Sequence, residues 1–401
     1  MPATEPAVLH LDTGRLLRGG QRQVLLLMRA LRERGWRCVL AAPVDGALCA
    51  AATAEAFECF GFAPRGDLDL LAAWRLRREA AARNLELWHA HSARAQAQAS
   101  LALAWPAGRE RRRLVVTRRT AFPRRPGLAH RLKYGDRRIG RYLAISEAVA
   151  SGLQARGVSP ARIRLVPSAV DAARFAAAAW AQLGDAVSAP ANADPSLRER
   201  LRAQLCRELA LPPAAYLVGA AGALDASKGY DLLLRAAYLA CREEPRLHVL
   251  VAGEGPERSR LEEETRRLGM GGRFRLLGRR HDLPDLFAAL DLFCMPSREE
   301  GLGSVVLEAF AAGLPVLASD AGGLAELVQP GVSGRRVPRG DARALAAALL
   351  EALREPERSR ELARAAHAGV RQRFSVERMV EAVEDVYGAL LGERAAQAED
   401  A

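Results

Sequence analysis

The chain has 401 residues, half of them apolar but only 5% aromatic, and a formal charge of +12. That length exceeds what one hydrophobic core usually serves and implies two domains. An apolar content carried by Ala, Leu and Val argues against an aromatic-rich β-sandwich, and no uncharged apolar run approaches the roughly 20 residues of a membrane span.

The first residues, "MPATEPAVLHLD", lack the basic-then-apolar order of a secretory leader, so a soluble, cytoplasmic protein is expected. "AVLHLD" reads as a strand and "QRQVLLLMRALRERG" as a helix of period 3.6. "RCVLAAP", a helix near 68 to 82, "LELWHAH", a helix near 93 to 104 and "RLVVTRR" follow. "YLAISEAVASGLQARG" continues the rhythm with Ser146 placed to cap a helix, and "IRLVPSAVD" closes the series. This alternation predicts a parallel sheet wrapped by helices. From 175 to 213 the texture shifts to Ala, Pro, Asn and Asp around one charged helical piece, "SLRERLRAQLCREL", and reads as a linker.

Beyond it the rhythm resumes through "AYLVGAAGAL", "YDLLLRAAYLACRE", "LHVLVAGEG", "ERSRLEEETRRLG", "RFRLLG", "DLFCMPS" and "LPVLAS", and ends in an amphipathic helix, "VERMVEAVEDVYGALLG". The expected division is an N-terminal α/β domain over 1–174, the linker over 175–213, a second α/β domain over 214–374 and a closing helical segment over 375–401. Ligands of such sheets bind beyond the carboxyl ends of the strands, so two facing domains imply a cleft.

The six cysteines are scattered without zinc-type spacing and are expected to be reduced and chemically silent. The basic excess concentrates between Arg109 and Arg141, where only Glu110 and Asp136 oppose the arginines. Such a stretch attracts the phosphates of nucleic acid, anionic lipid or an acidic glycolipid; a plain solvated face is the alternative.

Within "SREEGLGSVVLEAFAAGLPV", Ser304 is placed to cap a short helix that Gly313 and Pro315 end. A capping box would want its Glu at position 307, where Leu stands, so Glu308 has another role or simply emerges at the surface. A carboxylate on a mostly apolar helix is costly to bury without donors, and the neighbouring hydroxyls of a sugar supply two. Glu300 lies on the loop leading in, and the amides near Ser304 and Val305 offer an anion site.

"GAAGALDASKGYD" lacks the second Gly of a Walker loop, but Lys228 is one of only two lysines among 59 basic residues. A compact ammonium suits a diphosphate contact; chance retention is the alternative. Gly19 and Gly20 sit where backbone approaches a ligand or simply turns. His89 and His91 share one face of a short strand with no third ligand in view, which favours a structural role. "DLD" at Asp67 to Asp69 reads as a helix start.

Taken in order, these segments resemble the retaining glycosyltransferases of family 4, whose signature E-x7-E is matched by "EGLGSVVLE" from Glu300 to Glu308. "GGQRQVLLL", "HAHS", "AISEAV", "SKGYDLLLRAA", "VLVAGEGPERSRLE" and "GLPVLASDAGGLAELV" extend the likeness over most of the chain outside 175–213. The resemblance implies the GT-B fold, α/β with two Rossmann-like parallel-sheet domains facing a central cleft, and a closing helix over 375–392 that crosses back to the N-terminal domain. It implies transfer of a sugar from a nucleoside diphosphate sugar, with retained configuration and neither metal nor other cofactor, to a glycolipid or saccharide hydroxyl, as in lipopolysaccharide or other cell-surface glycan synthesis.

In that pattern Glu308 holds the ribose, Glu300 the transferred sugar, Lys228 with the Ser304 and Val305 amides the diphosphate, and Gly253, Glu254 and Gly255 the nucleotide. Gly301 and Gly303 belong to the same donor loop, Gly19 and Gly20 close over the phosphates, and His91 lies near the sugar. The family's Arg after the first Gly is Ala223 here, with Arg15, Arg18 and Arg118 as substitutes to consider, and the usual "PNGVD" is "PSAVD" with Ser168 and Ala169. Charge makes Arg118 and Arg119 acceptor-binding candidates and an anionic membrane surface a possible partner. A nucleotide-sugar epimerase of the same fold and a basic nucleic-acid-binding protein remain alternatives. No aromatic stacking series supports the latter, so no nucleic-acid partner is expected.

Overall fold

A computed structural model describes residues 5–104, 113–120, 133–188 and 194–399. The chain begins with β1 (Ala7–Leu11), α1 (Gly19–Glu33), β2 (Arg37–Ala42), α2 (Ala47–Ala54), β3 (Glu58–Gly61), α3 (Leu70–Ala82), β4 (Leu87–Ala90), α4 (Ala93–Ala104), β5 (Arg113–Arg118), β6 (Ile139–Ala144), α5 (Glu147–Gln154) and β7 (Ile163–Leu165). It continues with α6 (Ala176–Leu183), α7 (Leu197–Glu208), β8 (Tyr216–Ala221), α8 (Tyr230–Ala240), β9 (Leu247–Ala252), α9 (Arg258–Arg267), β10 (Phe274–Gly278), α10 (Leu283–Ala289), β11 (Leu292–Met295), α11 (Ser304–Ala311), β12 (Val316–Ser319), α12 (Leu324–Leu327), β13 (Arg335–Val337), α13 (Ala342–Arg354), α14 (Pro356–Arg373) and α15 (Val376–Glu399).

Two compact units result, 1–169 with 376–401, and 170–375. Among the described residues each unit holds one parallel sheet, in the orders β3-β2-β1-β4-β5-β6-β7 and β10-β9-β8-β11-β12-β13. Both orders reverse direction once, between β1 and β4 and between β8 and β11. Loops leaving the strand ends at such a reversal diverge and open a crevice, the usual ligand position on a doubly wound sheet.

Local chemistry sets the helix starts as expected in two places. Asp69 caps α3 by accepting from the Ala72 amide at 3.0 Å, and Ser146 caps α5 by accepting from the Val149 amide at 3.2 Å. The stretch 175–213, linker-like in composition, carries α6 and α7 and belongs to the second unit. Gln182 donates to the carbonyls of Phe287 and Leu290, while Arg198 and Arg202 both pair with Asp291, at 2.6 and 2.9 Å. Two of its alanines, Ala178 and Ala179 of α6, are buried.

Helix α15 is a structural part of the first unit. Met379, Val380, Val383, Val386, Tyr387 and Leu390, at helical spacing, share one core with Val24, Leu27, Met28 and Leu31 of α1. The Trp36 indole donates to Glu384 at 2.8 Å, and the Tyr387 hydroxyl is 2.6 Å from Nδ1 of the buried His89. A Tyr387→Phe variant keeps the ring but leaves that nitrogen without its partner, which costs about 1–3 kcal/mol. Calorimetry should show a lowered Tm; an unchanged Tm refutes the contribution of this bond.

Candidate functional site

In the second unit the chain leaving β8 turns at Gly222, and Asp225 caps a single turn over Ala226–Lys228 by accepting from the Ser227 amide at 3.0 Å. Gly229 follows in the left-handed region, and a Cβ there would collide with the carbonyl oxygen of Pro296, just past β11. Lys228 is thereby delivered across the strand reversal. Its Nζ donates to Oε2 of Glu300 at 2.5 Å, with side chains only 20% and 13% exposed, and Ser297 Oγ donates to the same oxygen at 3.4 Å.

A second set of bonds fixes these two loops. Arg298 forks onto Asp231 at 2.6 and 2.7 Å, donates to the Ala226 carbonyl at 3.1 Å, and its amide donates to the Ser227 carbonyl at 2.7 Å. A bidentate arginine pair fixes orientation as well as distance. Neither Arg298 nor Asp231 stood out in the sequence. Tyr230 also escaped notice. Its hydroxyl is buried beside Gly222 without a hydrogen-bond partner among the described residues, and burial followed by the Glu300 charge pushes its pKa up.

Just after β9, Gly253 lies so close to the turn after β8 that any Cβ would strike the Gly222 carbonyl oxygen, and Gly255 is equally tight against Leu224. Glu254 points outward and pairs with Arg258 at 2.8 Å. Helix α11 starts differently from expectation: Gly303, with φ of +92°, is its N-cap, and Ser304 is the first helical residue without a side-chain cap bond. Glycine reaches that left-handed conformation at little cost, so the loop enters the helix without a hydroxyl cap. The amides of Ser304 and Val305 take no part in the backbone hydrogen bonds of the described residues, as first-turn donors generally have no partner inside their helix.

Five of the eight residues of α11 are buried: Val306, Leu307, Ala309, Phe310 and Ala311. The remaining three, Ser304, Val305 and Glu308, form a half-open strip one helical turn long. Glu308 therefore lies along the same strip as the free amides. Gly301 is buried in the loop before them. The ends of β8, β9 and β11 thus gather one ammonium, one paired carboxylate, a helix N-terminus and a second carboxylate beyond it.

The first unit has its own cluster at the β1/β4 reversal. Asp12 is buried and accepts from the Gly14 amide at 2.7 Å and from Gln21 Nε2 at 3.0 Å; burial pushes its pKa up against these donors and Arg119. Gly19 begins α1, and a Cβ on Gly20 would lie 3.6 Å from Cδ of Arg119. Burial lowers the Arg119 guanidinium to about 10. Arg118 ends β5, while Arg15 is committed to a surface pair with Asp45. Of the basic stretch, 109–112 and 121–132 lie outside the described residues.

His91 follows β4 and does have histidine neighbours, contrary to the expectation that no third one lies near His89 and His91. Parallel pairing sets His10 of β1 opposite His89, and His10 Nδ1 is 3.0 Å from His91 Nε2. Ring nitrogens of all three lie within 4.8 Å of one another. Those of His89 are both engaged, by Tyr387 and Thr117 at 2.6 Å each, which makes it a crosslink between strand and helix. Burial keeps the group neutral, with His10 lowered to about 3.

Residues 17–174 match the family model of Glycosyltransferase Family 4, and 203–368 that of Glycosyl transferases group 1. The chain belongs to glycosyltransferase family 4. It is 36% identical to a D-inositol 3-phosphate glycosyltransferase of Salinispora tropica, over 60% of this chain and 49% of that one. It is 35% identical to the lipopolysaccharide core biosynthesis mannosyltransferase LpsB of Rhizobium meliloti, over 46% and 55%. The chain spans about half the length of the curated relatives it matches.

Among solved structures, Anabaena HepE in complex with UDP-glucose superimposes with a TM-score of 0.79 at 22% identity, over 96% of this chain and 99% of that one. WaaG, a glycosyltransferase involved in lipopolysaccharide biosynthesis, gives 0.71 at 17%, over 95% and 100%. The fold of this family 4 member is therefore GT-B. Within it, Gly253→Ala should lower stability by about 1–3 kcal/mol in urea unfolding, because backbone must yield. Gly271, with open space around its Cβ position, is the control: its Ala variant should stay within about 0.5 kcal/mol. Equal effects at both positions would refute the close approach of β8 and β9.

Proposed function

We propose that the protein transfers a sugar from a nucleoside diphosphate sugar to a hydroxyl of a saccharide or glycolipid acceptor, with retained anomeric configuration, in lipopolysaccharide or other cell-surface glycan synthesis. One observation carries this reading: the Lys228–Glu300 pair stands beside a helix N-terminus whose first amides have no backbone partner. A diphosphate needs such a mixture of one mobile ammonium and fixed N–H donors.

In the proposed step the bond between the anomeric carbon and the diphosphate oxygen breaks, and its electron pair stays on the diphosphate. The acceptor oxygen bonds to the same face of the sugar and gives its proton to the departing phosphate oxygen. Charge on the diphosphate grows as the bond stretches, so Lys228 and the Ser304 and Val305 amides stabilise the transition state more than the bound donor. Glu300 orients Lys228 and meets the sugar hydroxyls, while Glu308 accepts from the ribose. The backbone of Gly253 to Gly255, packed against the β8 loop, meets the nucleotide, and Gly301 and Gly303 shape the donor loop. In the first unit, taken by itself, we assign His91, Gly19, Gly20 and Arg119 to substrate contacts.

No metal is required in this scheme, since the ammonium and helix amides supply the positive charge. The HepE complex with UDP-glucose supports a nucleotide-sugar donor, and the LpsB likeness supports a lipopolysaccharide-type acceptor, hence an association with an anionic membrane surface.

Lys228→Ala should lower kcat by about 10² to 10³ without changing the fold. Near-normal kcat in the folded variant, assayed with chelator present, overturns the role. For Glu308→Ala the effect belongs in binding. After a thermal-shift screen has picked the preferred nucleoside diphosphate, titration calorimetry should show affinity lower by about tenfold or more, as loss of a hydrogen bond to a charged group implies. Unchanged affinity would place the ribose elsewhere.

A further inference from the structure

Helix α3 is apolar on two opposite faces. Ala73, Leu76 and Ala80 are buried, as one stripe of a surface helix should be. The other side ought to be polar, yet Leu70, Leu71 and Trp74 are 57%, 55% and 44% exposed, and Leu68 just before the helix is 83% exposed. These positions fall together because residues 70, 71, 74 and 78 share one side of a helix. Arg75 and Arg78 are exposed beside them, with the Arg78 guanidinium 5.1 Å from the Trp74 ring centre. The rim is mixed, since Arg78 also pairs with Glu79 at 2.9 Å and Asp67 and Asp69 flank Leu68, but clustered exposed apolar side chains of this size mark an interaction surface rather than an ordinary solvated helix.

We propose that this face, Leu68 to Arg78, is where the protein docks on an anionic lipid bilayer. The inference rests on the membrane association of the proposed function and adds its location and chemistry. Leucines that enter the acyl boundary, a tryptophan at headgroup depth and arginines facing lipid phosphates are the arrangement of an interfacial helix. The charge of the chain favours this occupant over a second copy, because two molecules at +12 repel while anionic lipid attracts. The basic stretch also reaches the patch: Lys133, one of its members, pairs with Asp67 at 3.0 Å, next to Leu68. Part of that stretch could bind lipid by charge alone, so the test must separate apolar docking from general attraction.

The test is sedimentation of the full chain with vesicles of phosphatidylcholine, with and without phosphatidylglycerol. The wild type should bind the mixed vesicles and not the neutral ones. Replacing Leu68, Leu71 and Trp74 together by Ser should weaken binding about tenfold or more, given the apolar area removed. The Tm should stay unchanged, since the three side chains are exposed. Arg75→Glu with Arg78→Glu should weaken binding in proportion to the anionic lipid content. As a readout independent of the triple variant, the blue shift of tryptophan emission on adding vesicles should vanish in Trp74→Phe.

Wild-type binding that the triple variant retains overturns the proposal and assigns binding to the basic stretch. A wild type that ignores anionic vesicles overturns it as well. A wild type that is dimeric in solution, with a monomeric triple variant, overturns it in favour of a second copy as occupant. None of these readouts uses substrate, so a failure here leaves the sugar-transfer reading to its own assay.

Discussion

The second unit is organised around one ion pair held at a strand reversal. Lys228 comes from the loop after β8 and Glu300 from the loop after β11, adjacent strands whose loops diverge. A paired ammonium and carboxylate at low exposure offset part of the desolvation cost that either would carry alone. Such a pair depends on the two loops being fixed relative to each other. Arg298 does this, spending its fork on Asp231 and a further donor on the Ala226 carbonyl. The close approaches of Gly229 to Pro296 and of Gly253 to Gly222 tighten the same junction from either side. In the proposed function, binding of a diphosphate exchanges one partner of Lys228 for another without first having to build the loop.

The first unit repeats the architecture with different chemistry. Its reversal lies between β1 and β4, and there the polar residues are Asp12, Arg119 and His91 instead of a lysine and a glutamate. The unit depends on α15, the end of the chain, to complete its core and to hold His89 through Tyr387. A segment far from the site in sequence thus supports the strand next to it.

What the sequence made legible was local. The 3.6 period of α1, the caps at Asp69 and Ser146, and the run of strands separated by helices all depend on residues a few positions apart, and these features stand in the structure. The unusual lysine and the carboxylates at 300 and 308 were visible as exceptions to their surroundings, because a costly residue type draws notice. Long-range features were not legible. That His10 would face His89 follows from the register of β1 against β4, and nothing near either residue encodes it. Arg298 and Asp231 drew no notice because their value comes only from meeting each other. The Ala-rich stretch 175–213 read as a linker because composition does not say whether an alanine packs, and here Ala178 and Ala179 do. At Ser304 the hydroxyl suggested a cap, but the left-handed Gly303 took that place.

The departure at Ala223 gains its meaning from these same contacts. The family resemblance leads one to expect an arginine there, helping lysine to hold the leaving diphosphate, and this chain has a methyl group. Nearby arginines are not simple replacements. Arg298 is locked onto Asp231, and Arg258 is spread between Glu254 and Glu262. Within the second unit the proposed leaving-group charge therefore falls on Lys228 and the α11 amides together, with no second guanidinium in the β8 loop to share it. That places more of the proposed catalysis on a single side chain than the family pattern does. On that proposal a lysine at this position has a physical reason even in a chain so strongly biased toward arginine. A guanidinium at 228 would carry its charge on a planar fork that suits a two-oxygen partner, whereas the ammonium can turn from one Glu300 oxygen to a phosphate oxygen within the same narrow space.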